Sequence, residues 1–206
     1  MLKKSVLKGD DTLIIEPTIL SLIVVKIRKG KFKNLEKIEI NGWYLLLIAA
    51  GIQILSSILK GKGFDIKGFS LENGLMLLHF ISYMLMIICV ILNLSKNSMK
   101  AFLIGIILNF IVIFANGGMM PVSLNGIKGI NDNIGSQLPI SDFDIKHQGV
   151  TPDTKFVYLS DIILITKPYP LPKILSIGDI FIMIGLFTFL QEAMVIDEEK
   201  NPNCND

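Results

Sequence analysis

The sequence is poor in the residues that stabilise small secreted domains and hold metal ions. It has two cysteines and two histidines in 206 residues. Cys89 falls inside a long apolar segment and Cys204 inside a polar tail, so we expect two free thiols and no disulfide framework. His79 has no second histidine or cysteine at ligand spacing, which argues against a zinc site. We accordingly expect neither a metal nor a cofactor.

A strong excess of one charge sign is also missing. Lysine and arginine together number 20, and aspartate and glutamate 18, which leaves a formal net charge of only +2. Proteins that bind nucleic acids usually concentrate basic side chains on one face. We therefore expect no nucleic-acid partner. No internal repeat is visible either.

The sequence contains instead long apolar stretches that have almost no charged residues. Apolar residues make up 51% of the chain, and the mean hydropathy is +0.58. A helix of about 20 such residues crosses roughly 30 Å of hydrocarbon. We predict five spans, the first of them an uncleaved N-terminal span: residues 13–27, 43–59, 74–94, 101–115 and 177–196. Because the first and fourth are short, fewer than five spans is the alternative.

Basic residues are concentrated between the first two spans. Six of them lie within residues 26–37, and the positive-inside rule places this short loop in the cytoplasm. Alternation then puts residues 61–73 and 117–175 outside, although Lys60, Lys62 and Lys67, at the start of the 61–73 loop and within it, weaken the rule. Apolar residues within the basic loop have the spacing of a helix lying along the lipid headgroups, with a charged connecting loop as the alternative: Phe32, Leu35 and Ile38.

The predicted fold is therefore all-α. We expect one integral membrane domain, residues 1–206, built as a bundle of about five helices with a small extracytoplasmic cap from residues 117–175. Within that cap, KFVYLSDIILI predicts a short strand or a buried helix. KPYPLPK is expected to be extended, because each proline disfavours helical backbone in the residue before it.

Polar side chains inside the spans are functional candidates, since each costs several kcal/mol in hydrocarbon unless it is paired. Each of them also has a purely structural interpretation. We expect Asn93 and Asn109 to hold helices together, and His79 to form a hydrogen bond to another span. Glu16 precedes Pro17 and suits a helix start, where negative charge is favoured.

The stretch IFANGGMMPVS, residues 113–123, ends the fourth span abruptly. Asn and Gly adopt the left-handed conformation that closes a helix, and a proline soon afterwards cannot continue it. Asn116 and Gly117 would suffice for such a cap and turn. The additional Gly118 and the methionines after it indicate bare backbone near a cavity or a close packing partner.

Two aspartates near the last span are candidates for chemistry. Ser176 and Asp179 have the spacing of a capping box at a helix start. Asp161, in YLSDIIL, has no such simple structural role. Prolines between the two aspartates turn the chain back, which allows the carboxylates to face each other. Two facing carboxylates share one proton, an arrangement that suits hydrolysis.

Several of these motifs resemble an uncharacterised bacterial membrane family, domain-of-unknown-function family 5317. The similar segments cover nearly the whole chain after residue 13: NGGMMPV at 116–122, LSD at 159–161, PLP at 170–172 and SIGDIFIMIG at 176–185. The resemblance also includes Gln53, His79, His147 and Thr154, and departs at Ser160, where family members usually have glycine. It implies a polytopic protein of the bacterial cytoplasmic membrane and no established activity.

A weaker likeness joins the C-terminal half to lipoprotein signal peptidases. LSIGDIFIMIG is similar to the segment that opens their last helix, which implies catalytic roles for Asp161 and Asp179. This chain departs from that pattern in three ways. Ser176 stands where those enzymes have asparagine, no Asp-Arg pair follows Asn116, and the intervening loop is much longer.

The primary functional hypothesis is a polar pocket at the outer membrane face that binds a membrane lipid, a membrane-embedded peptide or a protein partner. The residues predicted to form it are Asn116, Gly117, Gly118, Met120, Pro121, His147, Ser176 and His79, together with both aspartates. The alternative is an intramembrane aspartic peptidase that uses Asp161 and Asp179. A transporter ranks third, because few charges line the spans.

Overall fold

The protein is mostly helical in the computed structural model, which describes residues 13–61, 71–123, 147–165, 168 and 173–195. Its long helices are α1 (Ile15–Ile27), α2 (Trp43–Gly61), α3 (Leu71–Ile91), α4 (Asn97–Ala115) and α5 (Ile177–Met194). Its short strands are β1 (Met120–Val122), β2 (His147–Gly149), β3 (Ile163–Ile165) and β4 (Lys173–Leu175). Short 3-10 helices cover Phe32–Lys37 and Val157–Leu159.

Three of the described helices, α3, α4 and α5, are long and apolar enough to cross a membrane. The sequence prediction treated the fourth segment as short, starting at residue 101, and this is wrong. The helix begins at Asn97 and has 19 residues, because the polar residues Asn97, Ser98 and Lys100 form its first turn. The apolar part of α2 has 17 residues and α1 has 13, so α1 is only about 20 Å long.

The helices pack in the spatial order α2, α3, α4, α5 and α1. Consecutive helices from α2 to α5 run antiparallel. At the start of α4, the Ser98 hydroxyl donates a 2.5 Å hydrogen bond to the Glu192 carboxylate near the end of α5. At the other end, the Asn109 side-chain amide donates to Asp179 in the first turn of α5, at 2.9 Å. The two helices are thus tied at both ends.

Helix α1 runs parallel to α5. Glu16, in the first turn of α1, contacts Lys173 just before α5, and the Ser21 hydroxyl donates to the Phe187 carbonyl further along. The starts of α1, α3 and α5 therefore share one end of the bundle with the four strands, which we name the strand end. The opposite end carries the connection of residues 26–39, and we name it the basic end.

Small residues let α4 and α5 approach closely. A Cβ atom added to Gly105 would lie 2.6 Å from the Gly178 carbonyl oxygen, and one added to Gly185 would lie 2.9 Å from the Phe102 ring. Backbone contact of this kind is possible only where side chains are absent. Among the helix pairs whose described glycines give a distance from an added Cβ atom to the neighbouring helix, α4 and α5 are therefore the most closely packed.

The strands make the all-α prediction incomplete. β1 and β2 pair in parallel, with Met120 opposite His147, and β3 and β4 pair antiparallel, with Ile163 opposite Leu175. A single bridge between Val122 and Asp161 joins the two pairs. Each strand has only three residues, so alternation over four to eight residues, the usual strand signal, is absent. KFVYLSDIILI does contain a strand, β3, as one of its two interpretations predicted.

The turn after α4 explains both of its glycines. Gly117 takes the left-handed conformation with φ of 75°, and the Gly118 amide donates to the Ile113 carbonyl at 2.9 Å, which closes the helix as a Schellman motif. Asn116, with φ of −118°, is not left-handed. Gly118 has φ of 83°, and a Cβ atom there would lie 3.1 Å from Met76 Cγ of α3. The second glycine therefore has a close packing partner.

The connection at the basic end is fixed to the last carbonyl of α5. The Lys31 amide and the Asn34 side-chain amide both donate to the Met194 carbonyl, at 3.0 and 2.9 Å. α1 ends just before this point with Lys29 in the left-handed conformation, and the Gly30 amide donates to the Val25 carbonyl. Phe32–Lys37 then forms a 3-10 helix with no buried residues.

Replacing Gly105 by alanine should destabilise the bundle, because the added methyl group meets α5 backbone that cannot move independently. We expect a loss of about 1–3 kcal/mol, seen as a lower midpoint of thermal unfolding in detergent. The matched control is Gly51→Ala, since nothing lies within 4 Å of an added Cβ there. Equal midpoints for the two variants would contradict the close α4–α5 contact.

Candidate functional site

A cavity of about 260 Å³ opens at the strand end of the bundle. Its lining combines helix residues with residues of the strands, and includes two histidines and two aspartates: Leu13, Gln53, His79, Tyr83, Asn109, Ile113, Met120, His147, Asp161, Ile174, Leu175 and Asp179. Gln53 lies eight residues before the end of α2, and His79 eight residues after the start of α3. At 1.5 Å per residue, the cavity reaches about 12 Å into the helical layer.

The wall between α4 and α5 is a closed hydrogen-bond network. Asp179 accepts from the Asn109 side-chain amide and from the Ser176 backbone amide, each at 2.9 Å. The Ser176 hydroxyl accepts from the Asp179 amide and donates to Asn109 Oδ1 at 3.0 Å. The predicted capping box is confirmed. Asn109 also holds two helices together, as predicted.

His147 and Asp161 form the opposite wall. Imidazole Nε2 and carboxylate Oδ2 are 3.5 Å apart, and the residues are 8% and 4% exposed. The backbone of Asp161 is held on both sides, since its amide donates to the Pro121 carbonyl and its carbonyl accepts from the Ser123 amide. When the imidazole is protonated, the pair becomes a salt bridge in a nearly dry site.

His79 lies against an aromatic wall. Its ring centroid is 5.2 Å from that of Tyr83 and 6.1 Å from that of Phe114. Phe110 and Phe80 extend the same cluster between α3 and α4. Within the described parts of the chain, no three His, Cys, Asp or Glu side chains come together as metal ligands.

The predicted site residues divide into two groups. The cavity brings together His79, Met120, His147, Asp161 and Asp179. The others adjoin the cavity without lining it: Asn116, Gly117, Gly118, Pro121 and Ser176.

Asn116 connects the end of α4 to a loop. Its side-chain amide donates to the carbonyls of Val112 and Lys155, at 2.7 and 2.9 Å, and its side-chain oxygen accepts from the Lys155 amide. Gln148 donates to its backbone carbonyl. These contacts give Asn116 a structural role in holding the loop that carries Lys155.

Sequence reasoning left three lining residues with polar side chains out of the predicted pocket: Gln53, Tyr83 and Asn109. Gln53 and Asn109 are polar residues within apolar helices, so the signal for them was present. Tyr83 is one turn from His79 and on the same helix face. The interhelical pairing of Gln53 with the Ser82 hydroxyl, at 3.1 Å, depends on tertiary contact that a single sequence does not show.

An ion pair beside the cavity was not predicted. Lys173 Nζ lies 2.6 Å from Glu16 Oε2, and the two side chains are 1% and 23% exposed. The pair joins the first turn of α1 to β4, next to the lining residues Ile174 and Leu175. Glu16 was interpreted only as a residue that favours a helix start, and Lys173 gave no signal.

The geometry limits what the two aspartates can do. Both line one cavity, which a shared-proton pair requires. Both oxygens of Asp179 nevertheless accept hydrogen bonds already, one from the Asn109 side-chain amide and one from the Ser176 backbone amide. These bonds fix the orientation of the Asp179 carboxylate within the α4–α5 wall.

These features define a helical bundle with membrane-length apolar helices and a polar cavity at one end. The chain belongs to the family of unknown function DUF5317, whose model matches residues 37–191. It is similar to an uncharacterized protein of Thermotoga maritima, with 27% identity over 167 residues, which is 81% of this chain and 84% of that protein. No solved structure matches the chain.

Breaking the Glu16–Lys173 pair should destabilise the protein. Glu16→Gln removes the carboxylate from a lysine that is almost fully buried, and we expect a loss of about 3 kcal/mol. Combining Glu16→Gln with Lys173→Met removes both charges and should recover most of that loss. Unfolding in detergent is measured for both single variants and for the double variant. If the double variant loses as much as the sum of Glu16→Gln and Lys173→Met, the two side chains are not coupled.

Proposed function

We propose that all five long helices cross the bacterial cytoplasmic membrane, with the basic end in the cytoplasm and the strand end outside. The helix directions support this arrangement, because each helix runs opposite to the one before it in the chain. The charge distribution supports the orientation, since six basic residues lie within residues 26–37 at one end.

The residues at the two ends of the short helix α1 support its place in this arrangement. Glu16 pairs with Lys173 at the strand end. At the basic end, Lys26 is exposed and long enough to extend to the headgroups, while the Arg28 guanidinium donates a hydrogen bond to Gln191 of α5. α1 also lies beside α5 for most of its length. A thinned bilayer around α1 would complete the crossing.

The cavity at the strand end is proposed to bind the polar group of a membrane lipid, or of a membrane-embedded peptide or protein. The observation that carries this proposal is the joint lining of one cavity by His79, His147, Asp161, Asp179 and Asn109. Buried polar groups in an apolar bundle are costly unless they serve a partner or one another. Its location at the helix ends gives a ligand access from the outer membrane surface.

The volume and the polar lining of the cavity limit the kinds of ligand that it can bind. At about 260 Å³ the cavity is slightly smaller than the roughly 300–1,000 Å³ of drug-sized pockets, so it suits a headgroup and not a whole lipid. Asp161 and Asp179 are acceptors, which favours a ligand that donates hydrogen bonds, such as a lipid ammonium group or a peptide N–H.

Asp161→Asn should weaken binding of phosphatidylethanolamine and of short membrane peptides by about tenfold or more, because a hydrogen bond to a charged group contributes about 1.5–3 kcal/mol. Native mass spectrometry of the detergent-purified protein with these probes measures the change. Asp153→Asn is the matched control, since Asp153 is exposed and outside the cavity. Unchanged binding in Asp161→Asn would exclude this role for the cavity.

Aspartic peptidase activity is the second candidate, and it is favoured only by the presence of both aspartates in one cavity. It requires that Asp161→Asn and Asp179→Asn each abolish cleavage of a membrane-embedded reporter peptide. Cleavage that persists in Asp179→Asn would exclude the pair, because one ionised carboxylate must take a proton from the attacking water while the other, protonated, donates a proton to the amide that is cleaved.

A further inference from the structure

A second concave surface lies at the basic end, far from the cavity described above. It has a volume of about 420 Å³ and lies between the C-terminal half of α1 and the 3-10 helix that follows. Its lining is apolar except for one lysine: Ile19, Leu22, Ile23, Val25, Lys26, Gly30 and Phe32. We name this surface the α1 groove.

The α1 groove has an apolar part and a basic mouth. Ile19, Ile23 and Lys26 follow one another at spacings of four and three residues, so they form a single stripe along α1. Ile19 and Ile23 are 55% and 53% exposed, and Lys26 is exposed at the basic end of the stripe. A long apolar chain ending in an anion would match the stripe from one end to the other.

The far wall of the groove is held in place by α5. Phe32 is 65% exposed, yet its neighbours are fixed, because Lys31 and Asn34 both donate hydrogen bonds to the Met194 carbonyl. Gly30 is packed against Val25, with no room for a Cβ atom. The groove is therefore formed before any ligand arrives, which lowers the entropic cost of binding.

The charge around the mouth of the α1 groove is mainly positive. Residues 26–39 contain six basic and two acidic side chains, a net charge of +4 in a chain whose total is +2. Lys26 lines the α1 groove, and the basic residues that follow it closely in the chain are exposed: Arg28, Lys29, Lys31 and Lys33. A cluster of four to eight basic residues directly beside the membrane attracts anionic lipids.

We propose that the α1 groove binds one anionic phospholipid of the inner leaflet. One acyl chain lies along Ile19 and Ile23 against Phe32, and the phosphate lies at Lys26, within the field of the neighbouring lysines. This site is independent of the cavity at the strand end.

A tryptophan reporter in the groove tests the proposal. Trp43 is the single tryptophan of the chain, so Trp43→Phe combined with Phe32→Trp leaves fluorescence only from the groove. The full-length protein is placed in phosphatidylcholine vesicles that contain a minor fraction of lipid brominated on its acyl chains. We expect brominated phosphatidylglycerol to quench at a lower mole fraction than brominated phosphatidylcholine.

Removing basic charges near the groove is the second part of the test. Lys26→Gln in the reporter should reduce the preference for phosphatidylglycerol about fivefold, since each membrane-facing lysine contributes about 1 kcal/mol. Lys31→Gln with Lys33→Gln should reduce it further. Lys155→Gln, which removes an exposed lysine at the strand end, is the control and should leave it unchanged. Equal quenching by the two brominated lipids, or no effect of Lys26→Gln, would show that only general boundary lipid contacts the groove.

Discussion

The structure depends on the apolar surface that every long helix turns outward. One residue from each helix illustrates it, with exposed fractions between 44% and 62%: Ile19, Leu47, Leu77, Ile104 and Ile184. Lipid satisfies such a surface and water does not. In the proposed membrane arrangement hydrocarbon surrounds the bundle and water is no alternative partner, so the buried polar side chains bond to one another or to backbone across helix contacts.

Those internal polar contacts determine the arrangement of the strand end. Asn109 fixes the start of α5 through Ser176 and Asp179. That start positions β4, whose Lys173 in turn holds Glu16 and the first turn of α1. The cavity lies between these contacts, so its shape follows from the same network that packs the helices. Asn109 and Asp179 therefore have a structural role beside the binding role that we propose for the cavity.

The apolar runs predicted the positions of all five helices, because a run without charge is a strong signal for hydrocarbon burial. The capping box at Ser176 was equally visible, since it depends on spacing alone. The start of α4 was missed because its first turn is polar. Strands β1, β2 and β4 and the Glu16–Lys173 pair were missed because each depends on a partner outside its own segment, and no local pattern contains that information.

Labelling in intact cells tests most directly whether the apolar helices cross the membrane with the basic end inside. In a background without native cysteines, Lys155→Cys and Lys33→Cys place single thiols at exposed positions of the strand end and the basic end. A membrane-impermeant maleimide should label Lys155→Cys in intact cells and Lys33→Cys only after lysis. Labelling of both in intact cells, or of Lys33→Cys alone, would contradict the account.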